Sequence, residues 1–485
     1  MIFPRTVLTI DEEVSGYDMS SDRTIRPGTG SFVRDHFKPL SIITILSILL
    51  MLPRILSAQY GLLDDGMTFI AGQEMVAGTW GLDWKAGSGR FRPMYWIFNA
   101  AVMLLFPENA AGAFCINTAV LILSNIIIYW IVFHLFSNRK PALFSALFFL
   151  FSGPIIETFY TISKAEHFQV LCILLSIFFM MKASGSRVRW KQIGMYQAAF
   201  LAISAAMLTK ETSVVMVPMT IGWLLLAWIL KRWEPGYEKQ ITPRLIFAGI
   251  TALSGAIFWL MRIWVIGVGS SEISYAGKVD LSVDRILSST IRMSGWVIRD
   301  FPQMILWGSV IVLLLLLRKR YVRLITIIPD ILLWVLGWFG IFLPWGNTQE
   351  YYLLPFAAGA AMLSGLLGWE IVSNNGGLFR KISIIRTSLI VMGFGFFFIT
   401  LLHNYTSARI QLIVDRENAR MVDFLAVEVP ENGYVFHGFS GDLEYAHELL
   451  LHLHLLNNRS DITVNEFEFQ TAAYLNVDEL VYYVP

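Results

Sequence analysis

Apolar residues fill this chain in long blocks separated by short polar segments, and they do not alternate at the period of one strand face. A helix needs about 20 mostly apolar residues to cross the hydrocarbon of a bilayer. Runs at roughly 39–58, 112–136, 141–160, 165–182, 195–209, 212–230, 243–266, 302–318, 325–345, 351–370 and 382–402 meet or approach that length. The pattern predicts an all-α polytopic membrane protein with about eleven transmembrane helices. A further run, Pro93–Phe106, has about 14 residues and opens with proline. That length suits a re-entrant or interfacial segment better than a crossing.

Beyond His403 the pattern changes. Ile410–Val427 predicts a helix, Gly433–Phe436 a short strand, Leu443–Leu456 a second helix and Ile462–Val464 another strand. The expected organisation is a cytoplasmic amino-terminal tail over 1–38, a transmembrane domain over 39–402 with its first outer loop at 59–92, and a small extracytoplasmic α/β domain over 403–485.

Composition narrows the class further. Of 485 residues, 55% are hydrophobic and only 15% charged, which excludes an ordinary soluble domain. A net charge of +1 gives no support to nucleic-acid binding. The cysteines, Cys115 and Cys172, both lie inside apolar runs, so no disulfide framework is expected. The polar stretch 1–38 carries Arg5, Arg23, Arg26, Arg34 and Lys38 ahead of the first block. A signal peptide starts its apolar region sooner, so the first block reads as an uncleaved anchor.

Lysine- and arginine-rich short loops mark the cytoplasmic side of a membrane protein. These loops are Asn138–Lys140, Lys182–Lys191, Lys231–Lys239, Arg318–Arg323 and Arg380–Arg386. All five join the basic amino terminus only if 93–106 does not cross. The outer face then holds 59–92, 157–165, Thr209–Thr212, 267–301, 346–350 and 403–485. Expected, therefore, is an integral plasma- or inner-membrane protein with its amino terminus in the cytoplasm and its chemistry on the opposite face.

Candidate chemistry gathers in the first outer loop. Asp64 and Asp65 stand soon after the first block, and Arg90 and Arg92 precede Pro93. A carboxylate beside an apolar region can take the proton of a hydroxyl acceptor. Arginine forks suit phosphate oxygens. The plainer alternatives are a helix cap over Gly66–Val76 for the acids and headgroup snorkelling for the arginines. Asp64 and Asp65 also suit a divalent cation, so the metal question stays open and no cofactor is certain.

Lys210 and Glu211 interrupt about 35 apolar residues, either as a plain turn with its own ion pair or as a cation on the outer face. Lys164, Glu166 and His167 follow Glu157 on that face; His167 reads as a solvated helix start ahead of a general acid. Glu350, Tyr351 and Tyr352 sit among aromatic residues whose usual place is the interfacial belt, with sugar stacking as the alternative. His437, His447, His452 and His454 lie in the tail without the cysteines of a zinc cluster.

These residues resemble a known pattern. Asp64-Asp65, Phe69-Ile70-Ala71, Gly78-Thr79-Trp80 and Arg92-Pro93-Met94-Tyr95-Trp96 are similar to the first outer loop of C-type (GT-C fold) membrane glycosyltransferases. The branch is that of protein O-mannosyltransferases and bacterial lipid A aminoarabinose transferases. Pro141–Pro154 and Leu208-Thr209-Lys210 continue the likeness, which covers about 40–230. It implies a sugar donor on a polyprenyl or dolichyl phosphate, inverting transfer on the outer side, and a glycan, lipid or protein acceptor. By this resemblance Asp64 is the base, Arg92 and Lys210 hold the departing phosphate, and 157–167 lines the pocket. Asp65 departs from the usual glutamate. The rival readings are a flippase of a lipid-linked glycan, which needs no base, and a non-catalytic scaffold.

Overall fold

The structure, a computed structural model, describes residues 29–61, 65–79, 91–106, 109–232, 237–267, 279–317, 322–345, 348–373, 383–437, 449–466 and 481–484. In chain order the helices are α1 (Thr29–Leu56), α2 (Asp65–Ala77), α3 (Pro93–Leu105), α4 (Ala110–Phe136), α5 (Arg139–Leu150), α6 (Gly153–Phe159), α7 (Glu166–Gly185) and α8 (Arg189–Thr209). They continue with α9 (Met216–Leu230), α10 (Glu238–Ile266), α11 (Val283–Asp300), α12 (Pro302–Leu317), α13 (Val322–Gly340), α14 (Leu354–Ser373) and α15 (Ser383–Glu428). Three short strands close the chain: β1 (Tyr434–His437), β2 (Thr463–Glu466) and β3 (Val481–Val484).

Each of the eleven apolar runs falls on a helix or a helix pair. Among the described residues, eight helices are long and apolar enough to cross a bilayer, or nine if α5 and α6 count as one span. The apolar stretches of α12 and α13, Pro302–Val312 and Ile328–Gly340, are shorter. At 13 residues, α3 reaches about 20 Å, short of the ~30 Å hydrocarbon layer.

The run at 141–160, expected as one helix, is broken by 57° between α5 and α6. Gly153-Pro154 opens α6, and proline has no N–H to continue the preceding ladder. Gly153 serves a second purpose. A Cβ there would collide with the side chains of Glu350, Asp300 and Arg299.

The centre of the membrane assembly is α14, whose Gly359, Ala360, Ala361, Ser364, Gly365 and Gly368 are all buried. Small residues let helices approach closely where lipid supplies no hydrophobic drive between them. At Gly365 a Cβ would stand 2.6 Å from the backbone nitrogen of Ser145 on α5. Nearby, α10 and α13 are tied by a bidentate pair. Arg244 reaches Asp330 at 2.9 and 2.7 Å, and both side chains are buried. Charges inside apolar helices are tolerated when paired in this way.

The last apolar run is expected to end near 402, with a separate helix from 410. Instead α15 runs unbroken for 46 residues, about 69 Å, so membrane part and tail share one rod. Beyond it, β1 is the middle of a three-stranded parallel sheet in the order β2-β1-β3. Val422, Leu425, Val429, Val435, Leu449, Leu453 and Ile462 form an apolar cluster separate from the membrane core.

Candidate functional site

Asp64 and Arg90 lie outside the described residues, as do Asn347 and His447. Asp65 begins α2 and is 1% exposed. Its carboxylate is bound to Gly61 and Ser163. Oδ2 accepts the N–H of Gly61 at 2.8 Å, and Oδ1 accepts the N–H of Ser163 at 3.0 Å. The residue therefore ties its own loop to the segment between α6 and α7. Burial pushes the Asp65 carboxyl up to about 6, against the pull of the Gly61 N–H and the Arg54 guanidinium. The N–H groups on its two oxygens favour the carboxylate, and burial outweighs them.

The Ser163 carbonyl accepts from the Tyr95 hydroxyl, which also lies 3.2 Å from Thr68 Oγ1. Tyr95 is in the first turn of α3, directly after Arg92. The start of α2, the 160–165 segment and the start of α3 are thus bound into one unit.

Lys210 and Glu211 do not pair with each other. Glu211 accepts from Arg92 Nε at 2.9 and 3.1 Å and from the Phe91 N–H at 3.3 Å. Lys210 pairs with Glu166, and both are nearly inaccessible, 4% and 2%. The Lys210 ammonium also lies 4.2 Å from the Tyr352 ring centroid, and Lys164 lies 4.4 Å from that of Tyr351. The two tyrosines form an aromatic face toward two lysines.

The tyrosine turn is held from behind. Glu157 Oε2 accepts the Tyr351 N–H at 2.9 Å, and Arg299 pairs with both Glu350 and Asp300. Burial pushes the Asp300 carboxyl up to about 7, with Arg299 opposing and Glu350 adding to the rise. Glu350 therefore fixes the turn through Arg299.

His167 is a further correction. Expected as a solvated helix start, it is fully buried, with the rings of Phe98 and Phe159 at 5.5 and 5.8 Å. Its place is in the packing of α3, α6 and α7.

Sequence reasoning passed over several partners. Arg54, at the end of α1, is fully buried against Asp415 of α15 at 2.7 Å and stacks on Phe114. A charge beside Pro53 inside an apolar block was the signal that marked it. Ser163, Tyr95 and Asp415 carried no such mark. Among the described residues no group of three or more histidine, cysteine, aspartate or glutamate side chains is arranged for a metal ion.

Residues 92–237 match the family model for dolichyl-phosphate-mannose-protein mannosyltransferase. A search of curated proteins returns no match. ArnT from Cupriavidus metallidurans bound to undecaprenyl phosphate superposes with a TM-score of 0.55, at 11% identity, over 91% of this chain and 89% of that one. Its apo form gives 0.53 at 13% identity over 93% and 94%.

The chain has the GT-C fold.

A third match, oligosaccharyltransferase AglB from Archaeoglobus fulgidus with an inhibitory peptide and a dolichol-phosphate, scores 0.54 at 10% identity. It covers 87% of this chain, which spans 64% of that longer protein. The helical assembly thus carries the GT-C likeness over nearly its whole length. The family-model match begins at Arg92, the residue paired with Glu211.

Proposed function

We propose that the protein is an integral membrane glycosyltransferase that moves a sugar from a polyprenyl- or dolichyl-phosphate donor to an acceptor hydroxyl, with inversion. The observation that carries this is convergence. Asp65, Arg92, Tyr95, Lys164, Lys210 and Tyr351 come from separate stretches of chain, yet a continuous set of hydrogen bonds, ion pairs and ring contacts gathers them at the same ends of α2, α3, α7, α8 and α14. Neighbours of the same fold hold undecaprenyl phosphate or dolichol-phosphate. The loop charges support an orientation with this end outside the cytoplasm, the amino terminus inside and the tail outside.

In the mechanism we infer, the donor's polyprenyl chain lies among the helices with its phosphate at Arg92 and facing the charges of the two lysines. The acceptor hydroxyl gives its proton to Asp64 as its oxygen bonds to the anomeric carbon. The bond from that carbon to the phosphate oxygen breaks, and the lipid phosphate departs with the electron pair. Preorganised cations favour this step because charge builds on the leaving oxygen. The tyrosine rings give the sugar a face to stack on. Asp65, gripped by two backbone N–H groups, positions the loop and leaves proton transfer to Asp64.

Asp64→Asn tests the base. It should abolish transfer from a panel of radiolabelled polyprenyl-phosphate sugars while leaving yield and monodispersity unchanged. Turnover surviving in that variant overturns the assignment, and translocation of the intact donor without sugar release would mean a flippase.

A further inference from the structure

We infer that His452 in the tail is a positioning residue for the acidic outer loop, acting through the carbonyl of Gly61; this rests on the reading of Asp64 as base. The His452 Nε2 lies 3.1 Å from the Gly61 carbonyl oxygen. A carbonyl only accepts, so Nε2 carries the hydrogen and the ring is the Nε2–H tautomer. Burial lowers the His452 pKa to about 4, which keeps the ring neutral and this donor in place at physiological pH.

Gly61 is held on both sides. Its carbonyl accepts from His452, and its N–H donates to Asp65. Asp65 follows Asp64 directly in the chain, so one residue's two backbone groups connect the tail to the acid pair. The Arg54–Asp415 ion pair braces the same point, with Asp415 Oδ1 and Asp65 Oδ2 the atoms nearest to a Cβ built on Gly61.

The tail holds His452 rigidly. The residue is 5% exposed and opens a π-helical turn, His452–Leu456. Such turns are rare and concentrate at functional sites. Asn457 fixes the His452 carbonyl through both its backbone N–H and its side-chain amide, each at 3.2 Å. Leu449 and Leu453, on either side, are fully buried in the tail's apolar cluster. A donor anchored this way places its partner more sharply than one on a free loop. Through His452 the tail fixes Gly61, and through Gly61 it reaches Asp65.

The test is hydrogen exchange of the full-length protein in detergent, comparing wild type with His452→Phe, which keeps ring volume without a donor, and His452→Gln, which restores one. A net hydrogen bond of ordinary strength corresponds to roughly 2- to 10-fold faster exchange. That acceleration is expected in His452→Phe for peptides spanning Gly61 and Asp65, with α4, α7 and α14 unchanged and protection recovered in His452→Gln. Turnover should fall in His452→Phe with donor KM unchanged, and recover in His452→Gln. Unchanged exchange at Gly61, or equal behaviour of the two variants, overturns the inference. Should His452→Phe not fold, His452→Gln against His452→Asn, whose shorter amide falls short of Gly61, decides on the same readout. Turnover persisting in Asp64→Asn would remove the base and leave the exchange result standing. A dead Asp64→Asn beside a wild-type His452→Phe would remove only the inference.

Discussion

Lys210→Met separates architecture from chemistry at this site. The Lys210–Glu166 pair is buried, with side chains only 4% and 2% exposed. Removing the ammonium leaves Glu166 as a carboxylate out of contact with water and without its counter-charge. Breaking a buried pair by deleting one partner costs about 3–5 kcal/mol, because the remaining charge keeps its desolvation penalty. The ring contact with Tyr352 adds about 0.5–2 kcal/mol. Together these shift the unfolding equilibrium by roughly 2.5 to 5 orders of magnitude. The double variant Lys210→Met/Glu166→Gln removes both charges and should recover most of that loss, since neutral replacements of buried pairs are close to isoenergetic. Thermal unfolding in detergent measures the three proteins side by side. Transfer assays should show both variants impaired, because neither retains the Lys210 charge, although Arg92 and Lys164 remain. A Lys210→Met protein as stable as wild type refutes the buried pair. A double variant with full turnover refutes the role of Lys210 in catalysis.

Two further outcomes follow from neighbouring groups. Asp65 has a folded pKa raised from 3.8 to about 6, so protonation favours the folded state. Its stabilising contribution is complete below about pH 4 and lost as pH rises through 6, a change of about 3 kcal/mol; relative to Asp65→Asn, the wild-type melting temperature should fall across pH 4–7, and a constant difference sinks the argument. Arg92→Gln should raise the donor KM while leaving thermal stability nearly unchanged, because the Arg92–Glu211 pair is partly solvated at 19% and 29% exposure; a large loss of stability would show that Arg92 is structural.

The membrane helices were legible because hydrocarbon demands long apolar runs, and the sequence carries that demand residue by residue. What composition could not reveal was continuity across a change of solvent. Hydropathy drops near His403, but the backbone does not respond to hydropathy. From His403 to Glu428 there is no glycine or proline, so nothing stops α15 until Pro430. The opposite holds at Gly153-Pro154, where a breaker stands in plain view inside a run that hydropathy alone reads as one helix. The strand Val481–Val484, rich in valine and tyrosine, was passed over although its residue types favour strands. At the site, the charged residues were found by position but their partners were not. Lys210 and Glu211 are adjacent, yet the chain leaves α8 between them in an extended conformation at Lys210 and turns into a 3-10 helix at Glu211. The two side chains consequently reach acceptors and donors on different elements, Glu166 on α7 and Arg92 before α3.

Under the proposed function, that divergence gives the two cations different work. A lipid phosphate entering the site competes with whatever carboxylate a cation already holds. Lys210 is locked to Glu166 in a setting where exchange of partners would expose an orphan charge at a cost of about 3–5 kcal/mol, more than one new phosphate contact returns. Lys210 therefore keeps Glu166, and its charge acts on the leaving group at a distance across the Tyr351 and Tyr352 rings. Arg92 is different. Its carboxylate partner is nearly a third exposed, so Glu211 can pass to water for about 0–1 kcal/mol and free the guanidinium for a bidentate grip on phosphate. The burial that ranks the two pairs for stability thus ranks them for exchange: under the proposed function Arg92 would bind and release phosphate, while Lys210 would hold a fixed field.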